Sequence, residues 1–259
     1  MNVIEHNRQA WNRESRQGGR WSTPIAPEVI RAARSGVWTV VLTPTKTVPA
    51  AWFPELSGKA VLCLASGGGQ QAPVLAAAGA DVVSFDLSDE QLNKDREVAE
   101  REKLALRCVQ GDMTDLSAFD SGSFDLIFHP IANVFVPDVN AVWRECYRVL
   151  RPGGHLLAGF MNPSFFLFDH DVAERTGTLV VKNRLPYVAL NSENHRPAEF
   201  SHSLDDQIGG QLAAGFTVVG FYEDHWADGT SPLNRFCPVA IATRAYKQSR
   251  SRDTRAARR

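Results

Sequence analysis

Short apolar runs alternate with helical patterns through the middle of the chain. Ala60 to Ala65 is an apolar run that stops at a glycine-rich stretch, Ser66 to Gly69. The alanine-rich segment Gln71 to Ala80 carries Gly79 near its end, as a helix with a C-terminal glycine cap does. Asp81 to Asp86 is again apolar and ends in an acid. The pattern predicts a strand, a helix and a second strand.

The same alternation continues as far as Phe160. Ser88 is placed to cap the next helix, because its side chain can accept a hydrogen bond from the first helical turn. Apolar runs and helical spacing predict a helix over Asp89 to Lys103, strands over Arg107 to Gln110 and Phe124 to His129, a helix over Val139 to Leu150, a turn at Arg151 to Gly154 and a strand over His155 to Phe160.

The alternation of strand and helix patterns stops at Met161 and resumes near Leu204. Residues 161–200 show no clear period, and we interpret them as a lid-like insertion over the carboxyl edge of the sheet. A helix over Leu204 to Ala214 and strands over Phe216 to Tyr222 and Val239 to Thr243 follow. The sequence therefore predicts an α/β fold with a doubly wound, mainly parallel, seven-stranded sheet covered by helices on both faces.

The first part of the chain and its end differ from this middle. Four of the six tryptophans lie in residues 1–55, and such large apolar groups need a surface to cover, so we expect a helical cap over the mouth of the site. Residues 56–245 form the main domain, and residues 246–259 are expected to be a basic, disordered tail. The four tryptophans are Trp11, Trp21, Trp38 and Trp52.

Composition and charge argue against several classes of binding partner. The formal net charge is -1 over 259 residues, and the segment from Arg244 onward carries seven basic residues against one acid, which leaves about -7 for the rest. An acidic body argues against nucleic-acid binding. The four cysteines have neither zinc-ligand nor disulfide-framework spacing, and no long apolar stretch suggests a membrane span. With no signal-peptide pattern at its start, the protein is expected to be cytoplasmic.

The glycine-rich stretch after the first predicted strand is the first candidate site. Gly67 and Gly69 allow a ligand to approach the backbone closely, and Asp86 ends the next strand, where a carboxylate can accept the hydroxyls of a ribose. These residues alone fit a dinucleotide as well as another nucleoside cofactor.

Further landmarks follow in a fixed order, and the set resembles the class I S-adenosylmethionine-dependent methyltransferases of small-molecule type, which have a Rossmann-like fold. The similarity runs from about Ala60 to Phe160. The landmarks are the loop Leu64 to Gly69, the strand-end Asp86, Gly111-Asp112-Met113, and Phe124 to Ile127 followed by Leu150 to Gly154.

The resemblance implies a role for each landmark. Gly67 and Gly69 would pass close to the methionine part of the cofactor, and Asp86 would hold the ribose. Asp112 would accept the adenine amino group, and Met113 would pack on the adenine ring. The resemblance also places Ala65, Ser66, Leu87 and His129 in the cofactor site.

This chain departs from the family pattern in the glycine loop. The family often has an acid and a first glycine where this sequence has Cys63 and Ala65. The missing acid removes one indirect anchor for the cofactor's ammonium group. Ala65 restricts the backbone slightly, because its Cβ excludes conformations that glycine adopts.

Catalytic residues on the acceptor side are harder to assign, because methyl transfer needs mainly alignment of the nucleophile and exclusion of water. His129 and Asn133 follow the fourth strand, and His202 precedes a helix that Ser203 caps; these three are the candidates for acid–base or orienting roles. Each has a purely structural alternative. Six aromatic residues are expected either to pack the interior or to form an apolar lid around the acceptor: Phe165, Phe166, Phe168, Tyr187, Trp11 and Trp21.

The sequence thus predicts an S-adenosylmethionine-dependent methyltransferase acting on a small molecule through an oxygen, nitrogen, sulfur or carbon acceptor. Three alternatives stay open: cyclisation or another alkyl transfer with the same cofactor, a non-catalytic cofactor-binding module, and a nucleotide-dependent oxidoreductase. The last is disfavoured, because Ala72 stands where a dinucleotide motif requires its third glycine. The oligomeric state is not predicted.

Overall fold

The central feature of the fold is one seven-stranded sheet. A computed structural model describes residues 2–191 and 195–249. The strands are β1 (Ala60–Leu64), β2 (Asp81–Asp86), β3 (Leu106–Gln110), β4 (Phe124–His129), β5 (Leu150–Met161), β8 (Phe216–Asp224) and β9 (Ala240–Lys247). They lie in the order β3-β2-β1-β4-β5-β9-β8; the first five are parallel and β9 runs antiparallel to β5 and β8. The predicted fold class is confirmed.

Helices cover the sheet and form a cap at the start of the chain. They are α1 (Val3–Gln17), α2 (Pro27–Arg34), α3 (Gln71–Ala77), α4 (Asp89–Glu102), α5 (Val139–Val149), α6 (His170–Thr176) and α7 (Gly210–Ala213). A small second sheet pairs β6 (Val188–Ala189) with β7 (Glu199–Phe200) in the insertion. The predicted cap of α4 is confirmed, since the Ser88 hydroxyl accepts a hydrogen bond from the Gln91 amide at 3.1 Å.

Apolar residues of β1 and β4 build two cores, one on each face of the sheet. Val61 and Cys63 pack into the core that includes α2 and α3, whereas Leu62 and Leu64 pack into the core that contains Trp143 of α5. This split follows from the alternation of side chains along a strand. Continuous apolar runs are therefore the correct signal for strands covered on both faces.

Three elements differ in detail from their predictions. The turn at Arg151 to Gly154 belongs to β5, because Leu150 already pairs with Phe124 before an irregularity in the register. The helix predicted over Leu204 to Ala214 is present, and it contains a π-helical turn, Asp205–Gly209, before α7.

The third correction concerns the end of the chain. Tyr246 and Lys247 belong to β9, not to a tail. The Lys247 ammonium donates to the carbonyls of Tyr147 at 2.7 Å and Leu150 at 2.9 Å, which holds the end of the strand against α5. Residues 250–259 of the predicted tail lie outside the described residues. Within the described ranges, no helix has the combination of length and apolar composition that crossing a membrane requires.

Candidate functional site

A cavity of about 290 Å³ lies at the carboxyl ends of the parallel strands. Residues that follow β1, β2, β3 and β4 line one part of it, including Ser66, Asp86, Met113 and Ala132. In the strand order, β1 lies between β2 and β4, so the chain crosses to opposite sides of the sheet at this point. Such a switch point is where open α/β sheets bind ligands.

The glycine loop after β1 is packed so tightly that side chains would not fit. A Cβ on Gly67 would lie 2.8 Å from Cβ of Gln91 and 3.1 Å from Oδ2 of Asp86, and a Cβ on Gly68 would collide with the carbonyl of Trp21. Ala65 has φ 48°, in the left-handed region. The loop therefore adopts the conformation that a first glycine would give, at the cost of strain on Ala65.

Asp86 links the glycine loop to α4. Its Oδ2 accepts the amide of Gly67 at 3.0 Å, and its Oδ1 accepts the amide of Ser88 at 2.9 Å. Burial raises the pKa of this carboxyl to about 6, against the opposing effect of these amides. Because an ionised carboxylate has about four acceptor positions, Asp86 keeps positions open for hydroxyl donors from a ligand.

The segment after β3 forms the adjacent wall of the cavity. The amide of Gly111 donates to the carbonyl of Asp86 at 3.0 Å, and a Cβ on Gly111 would collide with the Phe85 ring. Asp112 and the mostly buried Met113 line the cavity, and Oδ1 of Asp112 accepts the amide of Thr114 at 2.9 Å. On this wall, Asp112 offers a hydrogen-bond acceptor and Met113 offers an apolar surface beside it.

Two buried polar atoms in this part of the cavity have no protein partner. The Ser66 hydroxyl and Oε1 of Gln91 lack hydrogen-bond partners among the described residues, although Ser66 is only 5% exposed and Gln91 only 4%. Buried polar groups are normally satisfied. Both residues line the cavity, so these atoms fit a bound polar ligand such as a nucleoside-linked amino acid. Sequence reasoning included Ser66 and missed Gln91.

Asp95 of α4 takes the place of the acid that β1 lacks. Its Oδ1 accepts the amide of Gly69 at 2.8 Å, and its Oδ2 accepts the hydroxyl of Ser84. Burial raises the pKa of Asp95 to about 7, and the charge of Asp95 contributes to the raised pKa of the buried Cys63 thiol. The glycine loop is thus anchored from the neighbouring helix, a function that no local sequence motif indicated.

The structure places the side chain of His129 outside the lining of the cavity. The side chain is fully buried, Nδ1 hydrogen-bonds the carbonyl of Leu64 at 2.9 Å, and the ring packs edge-on against Trp143. Burial lowers the pKa of His129 to about 4. His129 is not among the residues that line the cavity, so its position fits a structural role between β4 and α5.

Asn133 and His202 are also absent from the lining of the cavity. The Asn133 amide is fully buried and pairs with Gln207, donating to Oε1 at 2.9 Å. Nε2 of His202 lies 3.1 Å from the carbonyl of Asn133 and 2.9 Å from that of Val136. Both side chains fasten the loop after β4 to the chain that follows the insertion. The Ser203 cap is confirmed, because its hydroxyl accepts the amide of Asp206 at 3.0 Å.

The rest of the lining, here called the aromatic part of the cavity, draws on distant parts of the chain. The side chains there include four of the six predicted aromatic residues, but neither Phe168 nor Tyr187. Glu199 of β7 also lines this part and was missed in the sequence, where nothing around it marks it. The aromatic lining consists of Trp11, Trp21, Phe135, Phe165, Phe166 and Trp226.

The N-terminal segment is bonded directly to the glycine loop. The amide of Ile25 donates to the carbonyl of Gly69 at 2.9 Å, and the Gln70 side chain donates to the carbonyls of Arg20 at 2.9 Å and Thr23 at 3.1 Å. The residues after α1 therefore cover one side of the cavity.

Comparison with known proteins gives the family. Residues 62–158 match the methyltransferase domain family. The uncharacterized methyltransferase YbaJ of Bacillus subtilis (strain 168) is 48% identical over 255 residues, which are 95% of this chain and 98% of that protein. The ubiquinone biosynthesis O-methyltransferase of Acinetobacter baylyi (strain ATCC 33305 / BD413 / ADP1) is 31% identical over 160 residues, covering 59% of this chain and 66% of that protein.

A solved structure shows the same fold. The S-adenosylmethionine dependent methyltransferase from Mesorhizobium loti superposes with a TM-score of 0.61 at 20% identity, over 76% of this chain and 94% of that chain. The sheet and the cavity at its switch point define a Rossmann-like protein with a nucleoside-cofactor site. The chain belongs to the S-adenosylmethionine-dependent methyltransferases. Its cofactor is S-adenosylmethionine.

Proposed function

We propose that this methyltransferase acts on a small, largely apolar molecule bound in the aromatic part of the cavity. The observation that carries the proposal is that two sets of residues line one cavity. One set combines the glycine loop with Asp86 and Asp112, and the other is aromatic, with side chains such as Trp11 and Phe166. A cofactor beside the first set and an acceptor beside the second would share one enclosed space, which is what transfer between them needs.

The residues that would hold the cofactor follow from this division. Asp86 would accept the ribose hydroxyls, Asp112 and Met113 would contact the adenine, and Ala65 to Gly67 would lie along the methionine part. Leu87 and Gln91 line the same part of the cavity and complete the set. The unpartnered Ser66 hydroxyl and Gln91 carbonyl oxygen supply the polar contacts that the amino-acid end requires.

Bound S-adenosylmethionine supplies a methyl group on a positively charged sulfur, which is already activated for displacement. The task left to the protein is to orient the acceptor and to exclude water. Trp11 and Trp21 from the N-terminal segment and Phe165 and Phe166 from the insertion would exclude water from the acceptor side. These aromatic walls also favour a flat or apolar acceptor over a strongly hydrated one.

Several features support a small molecule as the acceptor. The related Acinetobacter protein is named a ubiquinone biosynthesis O-methyltransferase. The body of this chain carries a net charge of about -7, which disfavours nucleic acid. We place the reaction in the cytoplasm, in keeping with the four cysteines, all of which are free thiols.

The test combines calorimetry with product analysis. The protein should bind S-adenosylmethionine at micromolar concentration and produce molecules heavier by one methyl group from a set of phenols, anilines and thiophenols. Binding of NADH in place of S-adenosylmethionine would contradict the proposal, as would binding of S-adenosylmethionine with no methylated product from any acceptor.

A further inference from the structure

Three acidic residues line the cavity, and two of them belong to its cofactor part. Asp86 and Asp112 follow β2 and β3, whereas Glu199 comes from β7 in the insertion. Among the residues that the structure describes, no basic residue lines the cavity. Glu199 is therefore the one ionisable side chain of the aromatic part, and it is not used by the cofactor-binding residues described above.

The backbone around Glu199 is fixed from α1. The Asn7 side chain is 1% exposed; its Oδ1 accepts the amide of Ala198 at 2.7 Å and its Nδ2 donates to the carbonyls of Ala198 at 3.2 Å and Phe135 at 2.8 Å. His6 binds the carbonyl of Arg196 at 2.9 Å. These contacts hold the strand that carries Glu199 against both α1 and the loop after β4, so the backbone at Glu199 has a defined position beside the cavity.

The surroundings of Glu199 suit a group that exchanges a proton. Burial raises the pKa of Glu199, and the charge of Arg196 opposes this shift. Among the described residues, the charged or titratable groups on the elements packed here include His6 and Arg13 of α1, His202 beside the loop after β4, and Asp86 and Asp112 in the cavity lining. A carboxyl group in apolar surroundings with a raised pKa is a stronger base than an exposed one.

We propose that Glu199 binds the acceptor through a proton-bearing hydroxyl or amine group and takes that proton during methyl transfer. This inference rests on the proposed function of the cavity. It defines the acceptor as an aromatic or apolar molecule with one O–H or N–H group, since one carboxylate within aromatic walls matches one donor on an apolar frame.

The proton and electron balance is simple. The acceptor oxygen or nitrogen forms a bond to the methyl carbon, and the bond from that carbon to sulfur breaks with its electron pair remaining on sulfur. The acceptor's proton passes to the Glu199 carboxylate, which later releases it to water. No oxidant, reductant or metal ion is needed.

The experiment compares Glu199→Gln, Glu199→Asp and wild-type protein with 2-naphthol and with 2-naphthalenethiol. The thiol loses its proton to water near neutral pH, so it does not require a base. Glu199→Gln should lower methylation of 2-naphthol by at least about a hundredfold and leave methylation of the thiol within about threefold. Glu199→Asp should recover part of the 2-naphthol rate, because it restores a carboxylate.

A pH profile and a matched control complete the test. At saturating S-adenosylmethionine, the wild-type rate with 2-naphthol should be level above the raised pKa of Glu199 and fall below it, whereas the residual rate of Glu199→Gln, which depends on the naphtholate present in solution, should rise with pH through the whole range. The control is Glu223→Gln, the same exchange at an exposed position of β8, which should behave as wild type. Binding of S-adenosylhomocysteine, measured by calorimetry, should be equal in all of these proteins.

The outcomes separate the two proposals. An equal loss of activity toward both substrates in Glu199→Gln would overturn the role of Glu199. An unchanged 2-naphthol rate with an unchanged pH profile would do so as well. Methylation of the thiol alone by wild-type protein would overturn it as well, while leaving the methyltransferase site intact. Failure of wild-type protein to bind S-adenosylhomocysteine would instead refute the proposed cofactor site.

Discussion

Neighbouring groups hold two residues of the cofactor part in unfavourable states: the backbone of Ala65 is strained, and the charged form of Asp86 is destabilised. Ala65 is held at a positive φ by the hydrogen bond that its amide donates to the carbonyl of Phe85 at 2.7 Å and by the tight loop that follows. Asp86 is kept in surroundings that raise its pKa to about 6. Costs of this kind gather at ligand sites, and each can be measured by a single substitution.

Replacing Ala65 by glycine should stabilise the protein. Glycine adopts φ near 48° without the clash of a Cβ, a gain of about 1–2 kcal/mol that its greater freedom in the unfolded chain partly offsets. We expect the free energy of unfolding to rise by about 0.5–1 kcal/mol in urea denaturation. Ala78→Gly is the control, because Ala78 has φ -75° and should lose stability. A destabilised Ala65→Gly protein would show that the loop conformation is not strained.

Asp86→Ala should weaken binding of S-adenosylmethionine by at least about tenfold, since hydrogen bonds to charged groups contribute about 1.5–3 kcal/mol. Calorimetric titration measures this, and the affinity of the wild-type protein should also fall as pH decreases below about 6, where Asp86 becomes protonated. Asp81→Asn, at the exposed start of the same strand, is the control. Unchanged affinity in Asp86→Ala would remove Asp86 from the ribose site.

At the scale of elements, the acceptor part is assembled by α1 and the insertion. Asn7 and Asn12 of α1 point in different directions: Asn7 bonds the insertion at Ala198, and Oδ1 of Asn12 accepts the hydroxyl of Ser88 at 2.6 Å. One helix therefore joins the insertion to the start of α4. Its loss would affect both parts of the cavity.

Asn7→Ala should remove the connection of α1 to the insertion and leave its connection to α4 in place. It leaves the buried amide and carbonyl of Ala198 without partners, which costs about 1–3 kcal/mol, and should therefore lower the melting temperature by a few degrees. Proteolytic cleavage within residues 177–199 should become faster, while S-adenosylhomocysteine affinity changes less than threefold. Gln9→Ala, on the exposed side of α1, is the control. Equal cleavage of Asn7→Ala and wild-type protein would argue against this role of Asn7.

The elements themselves were largely predictable, and the site only in part. β2 and β4 have the predicted bounds because their apolar runs end sharply in Asp86 and His129. Most of the residues predicted to hold the cofactor line the cavity, because they end strands or follow them directly. The ring of His129 turns toward Trp143 and is not part of that lining, which its place at the end of β4 does not reveal, and Glu199 was missed because it reaches the cavity only through tertiary packing.

At the scale of the whole molecule, buried groups with opposite titration behaviour offset each other. Burial raises the pKa of three carboxyls and lowers that of three imidazoles. The carboxyls make folding more favourable as pH falls, and the imidazoles make it less favourable. We expect a nearly level stability curve between about pH 5 and 7. The groups are Asp86, Asp95 and Glu199, and His129, His155 and His202.

Asp95→Asn should reveal how much one of these groups contributes to the pH dependence of folding stability. The folded pKa of Asp95 is about 7 against an ordinary value of 3.8, so the wild-type protein gains stability as pH falls from 7 toward 4, and the asparagine variant lacks this gain. Between pH 7 and pH 5 we expect the difference in unfolding free energy between the two proteins to change by about 2 kcal/mol in favour of wild type. Urea denaturation at both pH values measures it, with Asp81→Asn as the control, and a constant difference would contradict it.

The bonds from α1 to the insertion also set an order of events during synthesis. His6 and Asn7 are synthesised well before their partners Arg196 and Ala198, which follow 190 and 191 positions later. Contacts of such long range form late, after the loop between them has closed. Until then the buried side chain of Asn7 lacks its partner Ala198, so α1 reaches its final packing only after residue 198 has been made.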